Sequence, residues 1–235
     1  MTIPEIKERI QAFVDAAKRA VAAGYDFIQI HAAHGYLIHE FLSPLSNQRD
    51  DEYGGNFENR TRFLKEIVKA IREVIPKEMP LFVRLSMSDF DSMSSWEVPE
   101  VARLSKELED EYEVDMVNLS SGGLSPNQVI PSNWDFQLQM AKTIKDQTGI
   151  VCSAVGGVCN AETASRVVDE WKIEVVEIGK ATLRGAFNPR CIAVDLKVII
   201  LFDISFIATY SSFQRKLALG QSYSCSFQVF VCLFL

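Results

Sequence analysis

The strongest constraint on this chain is an alternation. Five short apolar runs, DFIQI at 26–30, LFVRLS at 81–86, DMVNLS at 115–120, IVCSAV at 150–155 and EVVEIG at 174–179, are separated by stretches whose apolar residues recur at helical spacing. Ile6, Ile10, Phe13, Val14, Ala17 and Val21 mark a helix that Gly24 closes, and Phe63, Leu64, Ile67, Val68, Ile71, Val74 and Ile75 mark another that Pro76 stops. Val98, Val101, Leu104 and Leu108 predict a third. Phe136, Met140 and Ile144 predict a fourth, and Ala164, Val167, Val168 and Trp171 a fifth. Residues three and four apart share one face of a helix, so each stretch has an apolar stripe to bury. Strands that are apolar nearly throughout are buried on both faces, which predicts a parallel sheet covered by helices. A doubly wound sheet and a (β/α)8 barrel both satisfy this pattern.

Polar residues at the strand ends favour the barrel. His31 follows the first run, Arg84 and Ser86 lie in the second, and Asn118 and Ser120 lie in the third. Gly156-Gly157 follows the fourth run and Gly179-Lys180 the fifth. A barrel opens all its C-terminal strand ends on one functional face, whereas a doubly wound sheet uses only its switch point. No G-x-G-x-x-G follows a strand, so a dinucleotide-binding loop has no support.

Composition narrows the function classes. Asp and Glu number 31 against 24 Lys and Arg, a net charge of −7, which argues against a nucleic-acid surface because phosphate binding needs clustered cations. The five cysteines are odd in number and include no C-x-x-C, which argues against a disulfide scaffold, an iron–sulfur cluster or a structural zinc site. The polar, amphipathic start MTIPEIKERIQAF has no signal-peptide core, so a cytoplasmic location is expected. Composition breaks near the end. Residues 198–235 carry three charged side chains, Asp203, Arg215 and Lys216, yet hold six of the fifteen Phe, with no sustained period. Polar residues interrupt every window long enough to span a bilayer, so no membrane helix is expected. The division is therefore 1–190 as the βα domain and 191–235 as a tail not shaped with it, as an unspliced intron or a shifted frame would produce.

All three histidines fall within HAAHGYLIH at 31–39. His31 and His34, following a strand, can turn to one side of a pocket, and two imidazoles can donate hydrogen bonds to a carbonyl oxygen and polarise it. Tyr36 adds a phenol able to deliver a proton. A metal reading lacks a third ligand at any established spacing, so no metal is expected. Gly156, Gly157 and Gly179 let backbone amides approach a phosphate, and Lys180 supplies an opposing charge; paired glycines are also ordinary turn chemistry. A hydrolase built on Ser86 or Ser120 lacks the G-x-S-x-G elbow.

The run HAAHGYLIHEFLSPLSNQRDDEYGG, followed by ENRTRFLKEIVKAIREVIP, LFVRLSMSDF, VNLSSGG, SAVGGV and VVEIGKATLRGAFNP, resembles the old yellow enzyme family in its bacterial and fungal branch. The resemblance covers about residues 1–190. It implies an α/β fold, an incomplete (β/α)8 TIM barrel of about five βα units corresponding to the family's strands 4 to 8. It implies FMN at the barrel mouth, NAD(P)H as electron donor, and reduction of the C=C bond of an α,β-unsaturated carbonyl compound. His31 and His34 would bind the substrate carbonyl or the nicotinamide amide, and Tyr36 would be the proton donor. Arg84 would face the flavin's pyrimidine edge, with Gly156, Gly157, Gly179 and Lys180 at its phosphate. His39, Arg49, Asp50 and Tyr53 would be loop structure. A small-molecule enone is the expected partner, and a homo-oligomer is compatible with the family. Lys180 stands where the family usually has Arg, keeping the charge without the bidentate fork. The resemblance also implies that the chain starts where the family's fourth strand is about to begin, which leaves open a non-catalytic fragment without flavin.

Overall fold

Each apolar run forms a strand in the computed structural model, which describes residues 1–93, 96–185, Ile192, Asp195, Ala208–Thr209 and Phe230–Leu233. The chain begins with α1, Ile3–Ala22. Its N-terminus is a capping box: Thr2 Oγ1 accepts from the Glu5 amide, and the Thr2 amide donates to the Glu5 carboxylate at 2.6 Å. The apolar stripe is buried at Ile6, Phe13, Val14 and Ala17, and Gly24 sits just past the end at φ +79°. Next come β1, Phe27–Ala32, α2, Leu37–Leu42, and α3, Phe57–Arg72, capped by Asn56. The order continues with β2, Leu81–Ser86, α4, Val98–Tyr112, β3, Met116–Ser120, α5, Phe136–Thr148, and β4, Cys152–Val155. It runs on through α6, Ala161–Ser165, β5, Val175–Glu177, and α7, Lys180–Arg184.

Strands β1 to β5 pair in parallel and in sequence order, as successive βα units require. Two short strands lie at the edges: β6, Ala208–Thr209, is antiparallel to β5, and β7, Phe230–Leu233, is parallel to β1. Backbone pairing there covers edges that would otherwise be open. The expectation of a non-family tail over 191–235 otherwise falls outside the described residues.

Alternation along the strands separates two faces. Ile28, Ile30, Leu81, Val83, Leu85, Val117 and Leu119 are buried with the helix stripes in one core. Alternate positions carry polar groups, and the register aligns them: His31 beside Arg84, Arg84 beside Asn118, Asn118 beside Ser153. A row of polar side chains thus crosses four strands on the face away from the helices.

Four local expectations are corrected. His31 does not follow β1 but is its penultimate residue. Helix α3 starts six residues earlier than its first predicted stripe residue and ends at Arg72, four residues before Pro76. The helix expected over 164–171 is α6 continued by a π-helical turn, Arg166–Glu170, where the Trp171 amide reaches the Arg166 carbonyl at 3.1 Å. His39 lies in a helix, α2, rather than a loop. Among the described residues no helix is long and apolar enough to cross a membrane.

Candidate active site

The chain leaves β1 through two consecutive residues in the left-handed region, His34 at φ 58° and Gly35 at φ 77°. Such a pair is strained for L-residues and persists only where its surroundings dictate it. Here the loop after β3 does so. A Cβ on Gly35 would lie 2.5 Å from the Gly123 carbonyl oxygen, and one on Gly123 (φ +92°) would lie 2.7 Å from the His34 Cα. Backbone packs on backbone, so both positions require glycine. The His34 amide donates to Ser86 Oγ at 3.0 Å, and Ser86 Oγ donates to the Gly122 carbonyl at 3.0 Å. Trp96, fully buried, donates from its indole to the Ser86 carbonyl at 2.8 Å and stiffens the end of β2.

This turn gathers the histidines and the tyrosine. His31 is 4% exposed, and its ring meets His34 edge-on at 5.5 Å and Tyr36 edge-on at 5.1 Å. Tyr36 is 54% exposed and stands at the rim. Ser120 Oγ joins two of the groups: it accepts from Arg84 Nε–H at 3.2 Å, donates to the Leu85 carbonyl at 3.2 Å, and lies 2.8 Å from His34 Nε2. The structure therefore brings His31, His34, Tyr36 and Arg84 together at the ends of β1, β2 and β3.

Electrostatics fix the histidines as neutral. Burial, then the charge of Arg84, pushes His31 down to about 4 and His34 likewise to about 4. At neutral pH both rings have one donor and one acceptor nitrogen. Neutral imidazoles flanked by a guanidinium suit a polarisable carbonyl, whose oxygen gains negative charge during reaction.

The other expected cofactor residues lie along the same edge of the sheet. Gly156 at φ 112° and Gly157 at φ 73° follow β4 in conformations that L side chains rarely adopt. The space a Cβ would take is filled at Gly156 by the Gln137 amide and at Gly157 by Trp134, 2.7 Å away. Around Gly179 it is open, and Lys180, the exposed first residue of α7, follows. Within this set Arg84 is the residue whose chemistry fits the flavin implied by the resemblance. Among the described residues Arg84 spends only Nε on the protein, in its bond to Ser120, and keeps its terminal nitrogens for an electron-rich edge. Among the described residues no cluster of metal-ligating side chains is present.

Sequence reasoning set Asp89 aside as a metal ligand and underrated Ser120. Asp89 has no local signal because its partners, His39 in α2 and Ser43 just past it, are far away in sequence. Ser120 was visible only as one of several polar strand ends.

A model of the NADH:flavin oxidoreductase / NADH oxidase family matches residues 1–197. The chain is 43% identical over 189 residues to an NADPH dehydrogenase of Clostridium acetobutylicum, covering 80% of this chain and 54% of that protein. It is 40% identical over 208 residues to an NADPH dehydrogenase of Bacillus subtilis, covering 88% and 60%. It spans little more than half the length of these curated relatives. Among solved structures, a 2-naphthoyl-CoA reductase bound to 2-naphthoyl-CoA aligns with a TM-score of 0.74 and 29% identity over 84% of this chain and 30% of that one. Morphinone reductase in complex with tetrahydroNAD aligns with a TM-score of 0.65 at 23% identity, over 85% and 52%, a likeness of fold.

Proposed function

Because this chain belongs to the NADH:flavin oxidoreductase / NADH oxidase family, we propose that it serves as an FMN-dependent NAD(P)H oxidoreductase that reduces the C=C bond of α,β-unsaturated carbonyl compounds. Residues 1–190 carry the proposed site, and the cytoplasm is the compartment we infer. The observation that carries this reading is the neutral His31–His34 pair, edge-on to each other, with Tyr36 on one side and Arg84 on the other.

FMN, when bound, supplies hydride transfer from NAD(P)H to the substrate. The chain's own residues bind, orient and protonate. Arg84, whose terminal nitrogens are unspent among the described residues, would hold the flavin and offset negative charge on it. Backbone amides at Gly156, Gly157 and Gly179, with Lys180, would hold its phosphate. Ser120 Oγ accepts from Arg84 Nε–H and donates to the Leu85 carbonyl at 3.2 Å, with His34 Nε2 2.8 Å away. His31 and His34 together bind the carbonyl oxygen of the substrate, stabilise the enolate charge as it develops, and hold the alkene in place. Tyr36, exposed at the rim, delivers the proton to the α-carbon.

The test is turnover of cyclohex-2-enone by the purified chain with FMN and NAD(P)H under anaerobic conditions. The reading expects enone-dependent NAD(P)H oxidation that is lost in His31→Ala/His34→Ala. Oxidation that proceeds equally without enone, or equally in that variant, contradicts it.

A further inference from the structure

Resting on that reading of His34 and Tyr36, we propose that His39, Asp89 and Ser43 form a buried positioning device that locks the turn carrying both. His39 lies one turn into α2 with its side chain wholly buried, as is that of Asp89 on the loop after β2. The Gly35 amide donates to His39 Nδ1 at 2.9 Å. A ring nitrogen that accepts from a backbone N–H carries no proton, so the imidazole proton sits on Nε2. Nε2 lies 3.0 Å from Asp89 Oδ1. The other carboxylate oxygen accepts from Ser43 Oγ–H at 2.5 Å, and Ser43 Oγ in turn accepts from the Leu45 amide at 3.1 Å.

The chain of bonds has a direction. Ser43 orients the carboxylate, the carboxylate charge beside Nε2 favours the Nε2–H tautomer, and that tautomer leaves Nδ1 as the acceptor Gly35 needs. Gly35 stands between His34 and Tyr36, in the left-handed pair at φ 58° and 77°. Gly35 packs against the Gly123–Leu124 backbone, and its amide hydrogen bond there has no easy substitute. Holding it fixes the departure angle of His34 toward Ser120 and of Tyr36 toward His31. A histidine serving only to fill the core would not need a buried carboxylate to set its tautomer, since burying that charge is costly unless it is paired.

Asp89→Asn isolates the tautomer. The asparagine oxygen stays with the Ser43 hydroxyl, so its NH2 faces His39 and donates to Nε2. The imidazole proton then moves to Nδ1 and opposes the Gly35 N–H. With only three histidines in the chain, NMR of the imidazole nitrogens reads this directly. The wild-type chain should show His39 protonated at Nε2 and a slowly exchanging Gly35 amide; Asp89→Asn should show Nδ1 protonated and Gly35 exchange at least tenfold faster. His39→Asn, whose Oδ1 replaces Nδ1 as acceptor, should restore Gly35 protection that His39→Leu loses. In turnover, Asp89→Asn should lower kcat for enone by about 100-fold, the expected cost of a misplacement on the order of 1 Å, with FMN affinity unchanged. A wild-type His39 protonated at Nδ1, or Gly35 exchange equal in all four proteins, overturns the device. If the wild-type chain turns over no enone, the functional reading fails, while the tautomer and exchange measurements still decide whether the turn is locked.

Discussion

Replacing Gly35 by alanine should cost far more than replacing Gly24, although both sit in the same left-handed region, at φ +77° and +79°. The backbone strain of a non-glycine residue there is about 1–2 kcal/mol, and Gly24→Ala should pay only that, since nothing lies within 4 Å of its added Cβ. At Gly35 the added carbon would lie 2.5 Å from the Gly123 oxygen and 3.1 Å from the Leu124 Cα. Both are backbone atoms and cannot rotate away, so the turn or the loop must move, an overpacking penalty of about 1–3 kcal/mol more. The total for Gly35→Ala is then roughly 2–5 kcal/mol, a large share of the roughly 5–15 kcal/mol that holds a typical domain. The restricted unfolded chain favours both variants alike and drops out of the difference. Urea unfolding followed by tryptophan fluorescence, with both variants and the wild type side by side, measures it. Equal destabilisation of the two variants would refute the claim that the turn after β1 is clamped by the loop after β3.

Other consequences are equally direct. Tyr36→Phe should leave stability within about 0.5 kcal/mol, as expected for an exposed side chain, and leave NAD(P)H-driven flavin reduction intact. It should lower enone turnover by about 100-fold or more, the usual worth of a positioned acid, as stopped-flow measurement of the two half-reactions would show. Ser120→Ala removes the acceptor of Arg84 Nε–H and the partner of His34 Nε2; it should destabilise by about 1–3 kcal/mol in urea unfolding and raise KM for the enone. The histidines also set a pH dependence. Their pKa in the fold is about 4 against an ordinary 6.5, so between those values the unfolded chain binds more protons. Their contribution to stability is complete above pH 6.5 and is lost as pH falls toward 4. The urea midpoint of the wild type should therefore fall more steeply across that window than that of His31→Gln/His34→Gln; identical slopes would show that burial does not hold them neutral.

The five strands were legible because each is a short apolar run with polar ends, and burial on both faces leaves no other reading. The His31, His34 and Tyr36 cluster was legible because its chemistry is packed into six residues of sequence. What joins it to Arg84 and Ser120 was not, since that depends on the register that sets His31 beside Arg84 and Arg84 beside Asn118. Helix α2 escaped notice because LIHEFL is too short to display a period. The π-helical turn at Arg166–Glu170 escaped because helical spacing assumes a single pitch. The pairing of His39 with Asp89 had no signal in either segment alone; it arises where α2 meets the loop after β2. The packing of Trp134 and Gln137 on Gly156-Gly157 likewise comes from a loop with no period to read.

The central claim, that this chain presents a flavin site built on Arg84 and the strand-end glycines, is tested most directly by titrating FMN into the purified 235-residue chain and following flavin fluorescence and visible absorbance. The account predicts saturable micromolar binding that weakens markedly in Arg84→Ala. Fluorescence that never saturates, or an affinity indifferent to Arg84, would contradict it.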